Sequence, residues 1–465
     1  MSLQHIEAEL YEQVGDFLRD RGHHVVHLVY SRNTARRLRA HGQTAICMLE
    51  EMDRLPAFDA EAQARRIAAE YPVPTFRDIY RTDFLCDGAS EAWCVDRTVR
   101  HVLVTERVFA DHAPDVIVPE VGNETIRTVA HLVGLRHGAP VLFLFYTIFP
   151  DPLRLYVDTM HAPIVRRDQL VELGPMERRR LDAFVEEFIA RDAPIRAYRR
   201  TEISSHRLAI IFKHLAVKRL VDSDNGYLRP ARWLAAELRD AIRARRARGL
   251  YSDLAPGRPF LYFPLHVMDD YKLKRVIPHC ANQVGLIEQV ARALPHGYDL
   301  VVKEHPMSIG RNSLQFLRSL ARMRNVRIVP PKTGSHALIA QSRGVVVISS
   351  TVGLEALLHG KPVMTLGQPF YSGFGVTLDI DNFADIRASV PRLVDAVPDP
   401  ELTRRFLHAA MQACRPGAPM LVDRSRANAA NLAGSVEAAA LEELERRGAC
   451  PAAASRSVPR VPDGP

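Results

Sequence analysis

Runs of four or five apolar, β-favouring residues recur through the last third of the chain, and each stops on polar residues. Residues 299–303 lead into Lys303, Glu304, His305 and Pro306, and residues 344–348 lead into Ser349, Ser350 and Thr351. Residues 360–367 lead into a glycine-rich loop at 368–375. Apolar runs of that length without alternation read as strands buried on both faces, the habit of parallel sheets. Open parallel sheets bind ligands outside the carboxyl ends of their strands. Three polar strand ends in one region therefore predict a ligand site.

The same pattern organises the first half more loosely. Residues 3–21 alternate at helical spacing up to Gly22, and 23–30 read as a strand. A helix-to-strand passage is expected over 96–106, then a strand at 113–119, a helix at 125–137 and a strand at 140–146. Strand, loop, helix and strand make a βαβ unit with Glu120 at the carboxyl end of its first strand. From about 175 to 250 the periodicity is helical throughout, with arginine-rich stretches that include 191–207 and 240–248. A linker at 254–259 precedes a strand at 260–266 ending on His266, a helix at 277–294 and further helix at 398–447. The Pro-, Ala- and Ser-rich tail is expected to be disordered. The class expected is α/β: an N-terminal domain over 1–174, a helical insertion over 175–255, a C-terminal domain over 256–449 and a tail over 450–465.

The strand ends carry the candidate chemistry. Ser349, Ser350 and Thr351 lie between a strand and a helix, so one of them caps it. Free backbone N–H groups and the helix dipole favour an anion there. Glu355, four residues after Thr351, is placed to reach a ribose hydroxyl. His305 can donate to a phosphate, with Pro306 stiffening the turn behind it. Ordinary capping accounts for any one of these residues; their order along one sheet predicts a phosphate-bearing ligand. Glu120 and Glu124 are the acid–base candidates of the first half, with Gly122 letting the backbone bend between them. Glu124 also suits a first helical turn, where an acid complements the dipole. Asp269 and Asp270 lack a third acidic ligand and read as a loop rather than a metal pair.

Composition narrows the partners. The 465 residues carry a net charge of +8 and an isoelectric point near 9.3, which favours nucleotides, phosphorylated lipids or an acidic membrane surface. Six cysteines show no C-x-x-C spacing, which predicts reduced thiols without a zinc site. No apolar run reaches a membrane span, and the first residues lack a signal-peptide pattern, so a cytoplasmic location is expected, with peripheral contact at the inner membrane as its variant. No G-x-G-x-x-G follows a strand and no phosphate-loop motif is present, which disfavours dinucleotide oxidoreductases and phosphate-loop NTPases. Nucleic acid is not an expected partner.

The motifs at 263–266, 303–306, 349–356, 360–363 and 369–375 together resemble the capsule polysaccharide biosynthesis family, which includes bacterial Kdo transferases of capsule assembly. The likeness is dense from about 260 to 377 and weaker at 119–122. It implies a GT-B glycosyltransferase, with two Rossmann-like domains facing a cleft and the donor held mainly by the C-terminal one. The donor it implies is a CMP-activated acid sugar, Kdo- or sialic-acid-like, bound by Lys303, Glu304, His305, Ser349, Ser350, Thr351 and Glu355. The acceptor is a surface polysaccharide or glycolipid, the catalytic residues are Glu120 and His305, and neither a metal nor a further cofactor is expected. The chain departs from the family after His266, with Val267-Met268-Asp269-Asp270 where relatives continue toward a Pro-Glu pair. It also has Pro119-Glu120-Val121 in place of a doubled acid before Gly122. A UDP-sugar transferase or epimerase, and a non-catalytic assembly or export factor, remain the alternatives.

Overall fold

The structure, a computed structural model, describes residues 5–161, 165–190, 205–220, 223 and 225–448. The chain forms two compact units. One comprises the residues up to Tyr146, Asp151–Thr159 and the chain from Cys414 onward; the other comprises Thr147–Pro150 and Met160–Ala413.

The first unit is α/β with little sheet. Strands β1 (Val26–Val29) and β2 (Thr44–Cys47) pair in parallel, and β3 (Leu142–Tyr146) pairs antiparallel with β4 (Leu153–Val157). The strand expected at 113–119 contracts to one parallel bridge, Ile117 with Val141. Pro114 and Pro119 flank that bridge and offer the ladder no N–H. The passage expected over 96–106 is instead the middle of one helix, Glu91–His112. Its buried Val95, Val99, Val102 and Phe109 recur at helical spacing, and packing along that stripe outweighs the β propensity of the valines. The sequence reading did not anticipate β4, because Arg154 interrupts its apolar run. That arginine is buried, with its guanidinium over the rings of Phe145 and Tyr156 at 5.4 and 5.0 Å.

The C-terminal helix Arg426–Arg446 belongs to this unit as well, whereas the sequence reading ran the C-terminal domain to 449. Its Ala429, Leu432, Ala433 and Val436 share a core with Leu10 and Val14 of the helix His5–Asp20 and with Leu142 and Leu144 of β3. Small residues let the two helices approach closely, and Glu437 accepts from Arg21 at 2.7 Å.

The second unit is built on one six-stranded sheet. Its strands are β5 (Phe260–Pro264), β6 (Asp299–Lys303), β7 (Val326–Val329), β8 (Gly344–Val347), β9 (Val363–Thr365) and β10 (Leu378–Asp379). They lie in the order β10-β9-β8-β5-β6-β7, and every pairing is parallel. Counted from β5, this is the doubly wound order, which reverses direction between β5 and β8. Leu261, Phe263, Leu300, Val302, Val346 and Ile348 share one core with Leu286, Ile287 and Val290 of the helix Gln283–Ala293. That helix starts six residues later than expected, after a π-turn over Lys272–Val276.

Helices Pro175–Ala190, Ser205–Leu220 and Pro230–Ala247 add no strand and group with the second unit. Arg178 holds Glu401 of the helix Pro400–Gln412 with two hydrogen bonds of 2.7 and 2.8 Å. Residues 191–204, which open the arginine-rich stretch at 191–207, and the tail at 450–465 lie outside the described residues.

Candidate functional site

The reversal point of the sheet is where the candidate residues gather. Neighbouring strands β5 and β8 run in parallel, so the residues just past them emerge side by side. His266 follows β5 and Ser349 follows β8, and the His266 Nε2 accepts the Ser349 backbone N–H at 3.0 Å. Gln283 fixes the histidine from behind: its Oε1 accepts the His266 N–H at 2.9 Å and its Nε2 donates to the His266 carbonyl at 3.2 Å. Burial, aided by Lys272 and His305, pushes His266 down to about 3. It therefore stays neutral, and its Nε2 remains an acceptor at physiological pH.

Ser350 caps the helix Thr351–Leu358, its Oγ accepting from the Val352 N–H at 3.2 Å. The Tyr371 hydroxyl donates to the Ser350 carbonyl at 2.5 Å. Gly353 permits that approach, since a Cβ there would lie 2.1 Å from the tyrosine oxygen. The loop that brings Tyr371 in is tied to Asp379, which accepts from Gly373 N–H at 2.7 Å and from the hydroxyls of Thr365 and Thr377 at 2.7 and 2.6 Å. Lys272 reaches the Ser349 carbonyl at 3.4 Å, setting a cation beside the helix start.

His305 lies one strand over, beyond β6. Its Nδ1 accepts the Met307 N–H at 3.1 Å, which assigns the proton of the neutral ring to Nε2. The residue is exposed, yet desolvation of the ring holds it below its ordinary value. Asp270 opposes that shift, while Lys303, Arg311 and Lys272 reinforce it. The charges around His305 and His266 are thus mainly cationic, as a site for an anion requires. Asp269 is turned to Arg311 in an ion pair.

The other predicted residues separate into distinct roles. Lys303 is buried and donates to Ser335 Oγ at 2.7 Å; burial pushes it down to about 8, with Glu355 pulling upward. Burial pushes Glu355 up to about 7, with Lys303 pulling downward. Glu304 is buried with both oxygens engaged, accepting from Tyr251 OH at 2.5 Å and Asn312 Nδ2 at 2.8 Å. Those bonds make Glu304 a tie within the fold. Thr351 is exposed on the first turn of the helix. His266, Lys272, Tyr371 and Arg311 complete the constellation. Of these, His266 carried a sequence signal through its position at a strand end and Tyr371 through the motif at 369–375, whereas Lys272 and Arg311 carried none.

Glu120 lies in the first unit, half-buried, three residues past the Ile117 bridge. Burial raises the Tyr146 hydroxyl above its ordinary value, and the charge of Glu120 adds to that rise. Glu124 caps the helix Thr125–Arg136 by position and pairs with Arg127 at 3.2 Å. Gly122 leaves room for that pair, since a Cβ would meet both side chains. The helix start is held from elsewhere: buried Asp83 accepts from the Thr125 N–H at 2.9 Å and from Arg97 at 3.1 Å.

Comparison with known proteins covers the same stretch of chain. Residues 184–415 match the family described as capsule polysaccharide biosynthesis protein. The Sinorhizobium fredii protein FixF is 34% identical over 161 residues, covering 33% of this chain and 37% of FixF. The capsule polysaccharide modification protein LipA of Neisseria meningitidis serogroup B is 35% identical over 81 residues, 17% of this chain and 12% of LipA. The chain thus matches well under half the length of either relative. Among solved structures, the Thermosulfurimonas dismutans KpsC, beta Kdo 2,7 transferase, aligns over 77% of this chain and 97% of its own, at 16% identity and a TM-score of 0.33. That score lies below the level that marks a common fold, and the assignment rests on the sequence match. Residues 184–415, the stretch that carries β5 to β10 and the His266–Ser349 bond, are thus the part of the chain that matches the capsule polysaccharide biosynthesis family.

Proposed function

We propose that this chain is a glycosyltransferase that moves an acid sugar, Kdo- or sialic-acid-like, from a CMP-activated donor to a surface-polysaccharide or glycolipid acceptor. The observation that carries the reading is the His266–Ser349 bond across the reversal point of the doubly wound sheet. It fixes a capped helix start beside Lys272 and His305, the surroundings a nucleotide phosphate needs.

In this reading the acceptor oxygen attacks the anomeric carbon and forms the new C–O bond. The bond from that carbon to the CMP phosphate oxygen breaks, and its electron pair stays on the phosphate. Lys272, the Nε2–H of His305, the hydroxyls of Ser349, Ser350 and Thr351, and the helix amides meet that charge as it develops. Glu355, once ionised, accepts from the ribose hydroxyls. Glu120 takes the proton leaving the acceptor hydroxyl. Lys303 acts through Glu355 by holding down its proton affinity, and Glu304 through the fold of the His305 turn.

Thermal unfolding with CMP, UDP, GDP and their sugars tests the reading. CMP and CMP-sugars are expected to raise the melting temperature, and His305→Ala to weaken that effect by one to two decades in affinity, about 1.5–3 kcal/mol, with the fold intact. A shift with UDP alone would move the assignment to a UDP-sugar transferase or epimerase. No shift with any nucleotide would favour a non-catalytic assembly or export factor.

A further inference from the structure

The helices Ser205–Leu220 and Pro230–Ala247 pack as a pair in the second unit, with His214 and Trp233 in edge contact at 5.0 Å. The second of them rests on the helix Leu314–Ala321. Arg243 donates to the Arg311 carbonyl at 3.5 Å, and Gly310, at φ +78°, lies against the Asp240 carbonyl where no Cβ fits. The inner faces of the pair are accounted for.

The outer faces are apolar where a surface helix of a soluble protein is polar. On the first helix, Ala209, Phe212, Ala216 and Leu220 follow one another at spacings of three and four, and all are exposed, Phe212 at 67% and Leu220 at 79%. On the second, Ala231, Ala235, Leu238 and Ile242 repeat the pattern, with Leu238 at 47% and Ile242 at 53%. The charged residues flanking these stripes have one sign. Lys213 and Arg219 are exposed on the first helix, and Arg232, Arg239, Arg245 and Arg246 on the second. Among the described residues of both helices no acid is exposed: Glu237 and Asp240 are half-buried, and Asp240 pairs with Arg239 at 2.9 Å.

We infer that this helix pair docks the protein onto an anionic lipid surface. Apolar side chains at helical spacing, flanked by cations and free of exposed acids, are the composition of a helix lying in the membrane interface. There the stripes enter the headgroup boundary while the arginines meet lipid phosphates. The single sign of charge selects this occupant, because a second copy of the same face would bring arginine against arginine. The inference does not depend on the sugar or nucleotide the second unit handles.

Sedimentation of the full chain with lipid vesicles tests it. The protein is expected to bind vesicles of phosphatidylcholine mixed with phosphatidylglycerol, and to lose binding to phosphatidylcholine alone or as salt is raised. Replacing Arg232, Arg245 and Arg246 together by Ala should weaken binding about a hundredfold, about fivefold per arginine. Leu238→Glu with Ile242→Glu should abolish it while the thermal unfolding transition, which reports the fold, stays cooperative. Absence of vesicle binding by the wild type, equal binding to neutral vesicles, or binding unaffected by the paired glutamates would each overturn the proposal. So would a wild-type dimer that the paired glutamates dissociate, which would assign the face to a second copy.

Discussion

At the scale of single residues, the two acids around Gly122 are distinguished by their surroundings. Glu124 is a helix-start acid paired to Arg127, whereas Glu120 lies three residues past the Ile117 bridge with its charge felt by Tyr146. Glu120→Gln is expected to lower sugar transfer about 10²–10⁴-fold with CMP affinity near wild type. Glu124→Gln should change transfer little, since a dipole-complementing acid contributes about 0.3–1 kcal/mol. Steady-state transfer assays with a CMP-binding titration separate the two, and equal behaviour would remove Glu120 from the mechanism. Glu355 gives a prediction in pH. Its folded-state affinity for protons is raised from 4.5 to about 7, so between those values the folded protein holds a proton that the unfolded chain has released. Stability from this group is present below pH 4.5 and lost as pH rises toward 7. The melting temperature of Glu355→Gln relative to wild type should therefore climb across that window; a constant difference would show that the carboxyl is not held against ionisation.

At the scale of elements, the helix start at Ser350 depends on a contact far from it in sequence. Tyr371 reaches the Ser350 carbonyl only because residue 353 is glycine. Gly353→Ala would place a methyl group 2.1 Å from the Tyr371 oxygen, so the loop carrying the tyrosine must move. Overpacking of this kind costs about 1–3 kcal/mol, and here it also shifts the turn that presents Ser349 and Ser350. Both the urea midpoint and the CMP-induced rise in melting temperature should fall. Tyr371→Phe in the same background removes the nearest clashing atom, the ring carbon Cζ remaining at 2.7 Å, and should recover part of each; no recovery would place the strain in the ring and not the hydroxyl. The sequence marked Gly353 and Tyr371 as parts of two separate motifs. Their contact joins a helix to a loop 18 residues away, a pairing that no local periodicity encodes.

At the scale of the whole molecule, stability in mild acid is set by buried neutral histidines in both units. Burial takes His27 down to about 4, and His101 and His266 to about 3, against an ordinary value of 6.5. Below pH 6.5 the unfolded chain binds protons that the folded protein refuses. Their contribution is therefore full above 6.5 and lost as pH falls through the window to about 4. Burial lowers His161, His305 and His359 as well, while it raises Glu304 and Glu355, which act in the opposite sense, so six groups stand against two. Unfolding followed by urea from pH 7 to 4.5 should show a falling midpoint. A flat profile would mean that these rings protonate within the fold.

Local order in the chain determined the α/β class, the strand ends at His266, His305 and Ser349, the capped helix after β8 and the helical stretch after 175. Those features rest on period, propensity and capping, which act within a few residues. Tertiary structure decided what such ranges cannot carry. Strand order set His266 beside Ser349, because β5 and β8 are neighbours only in the sheet. Burial separated Glu304, tied to Tyr251 and Asn312, from Glu355, left able to ionise near neutrality. Packing of a small-residue stripe returned the helix Arg426–Arg446 to the first unit. Each of these outcomes depends on neighbours brought together by folding, and their free energies are gained only when both partners have already been placed.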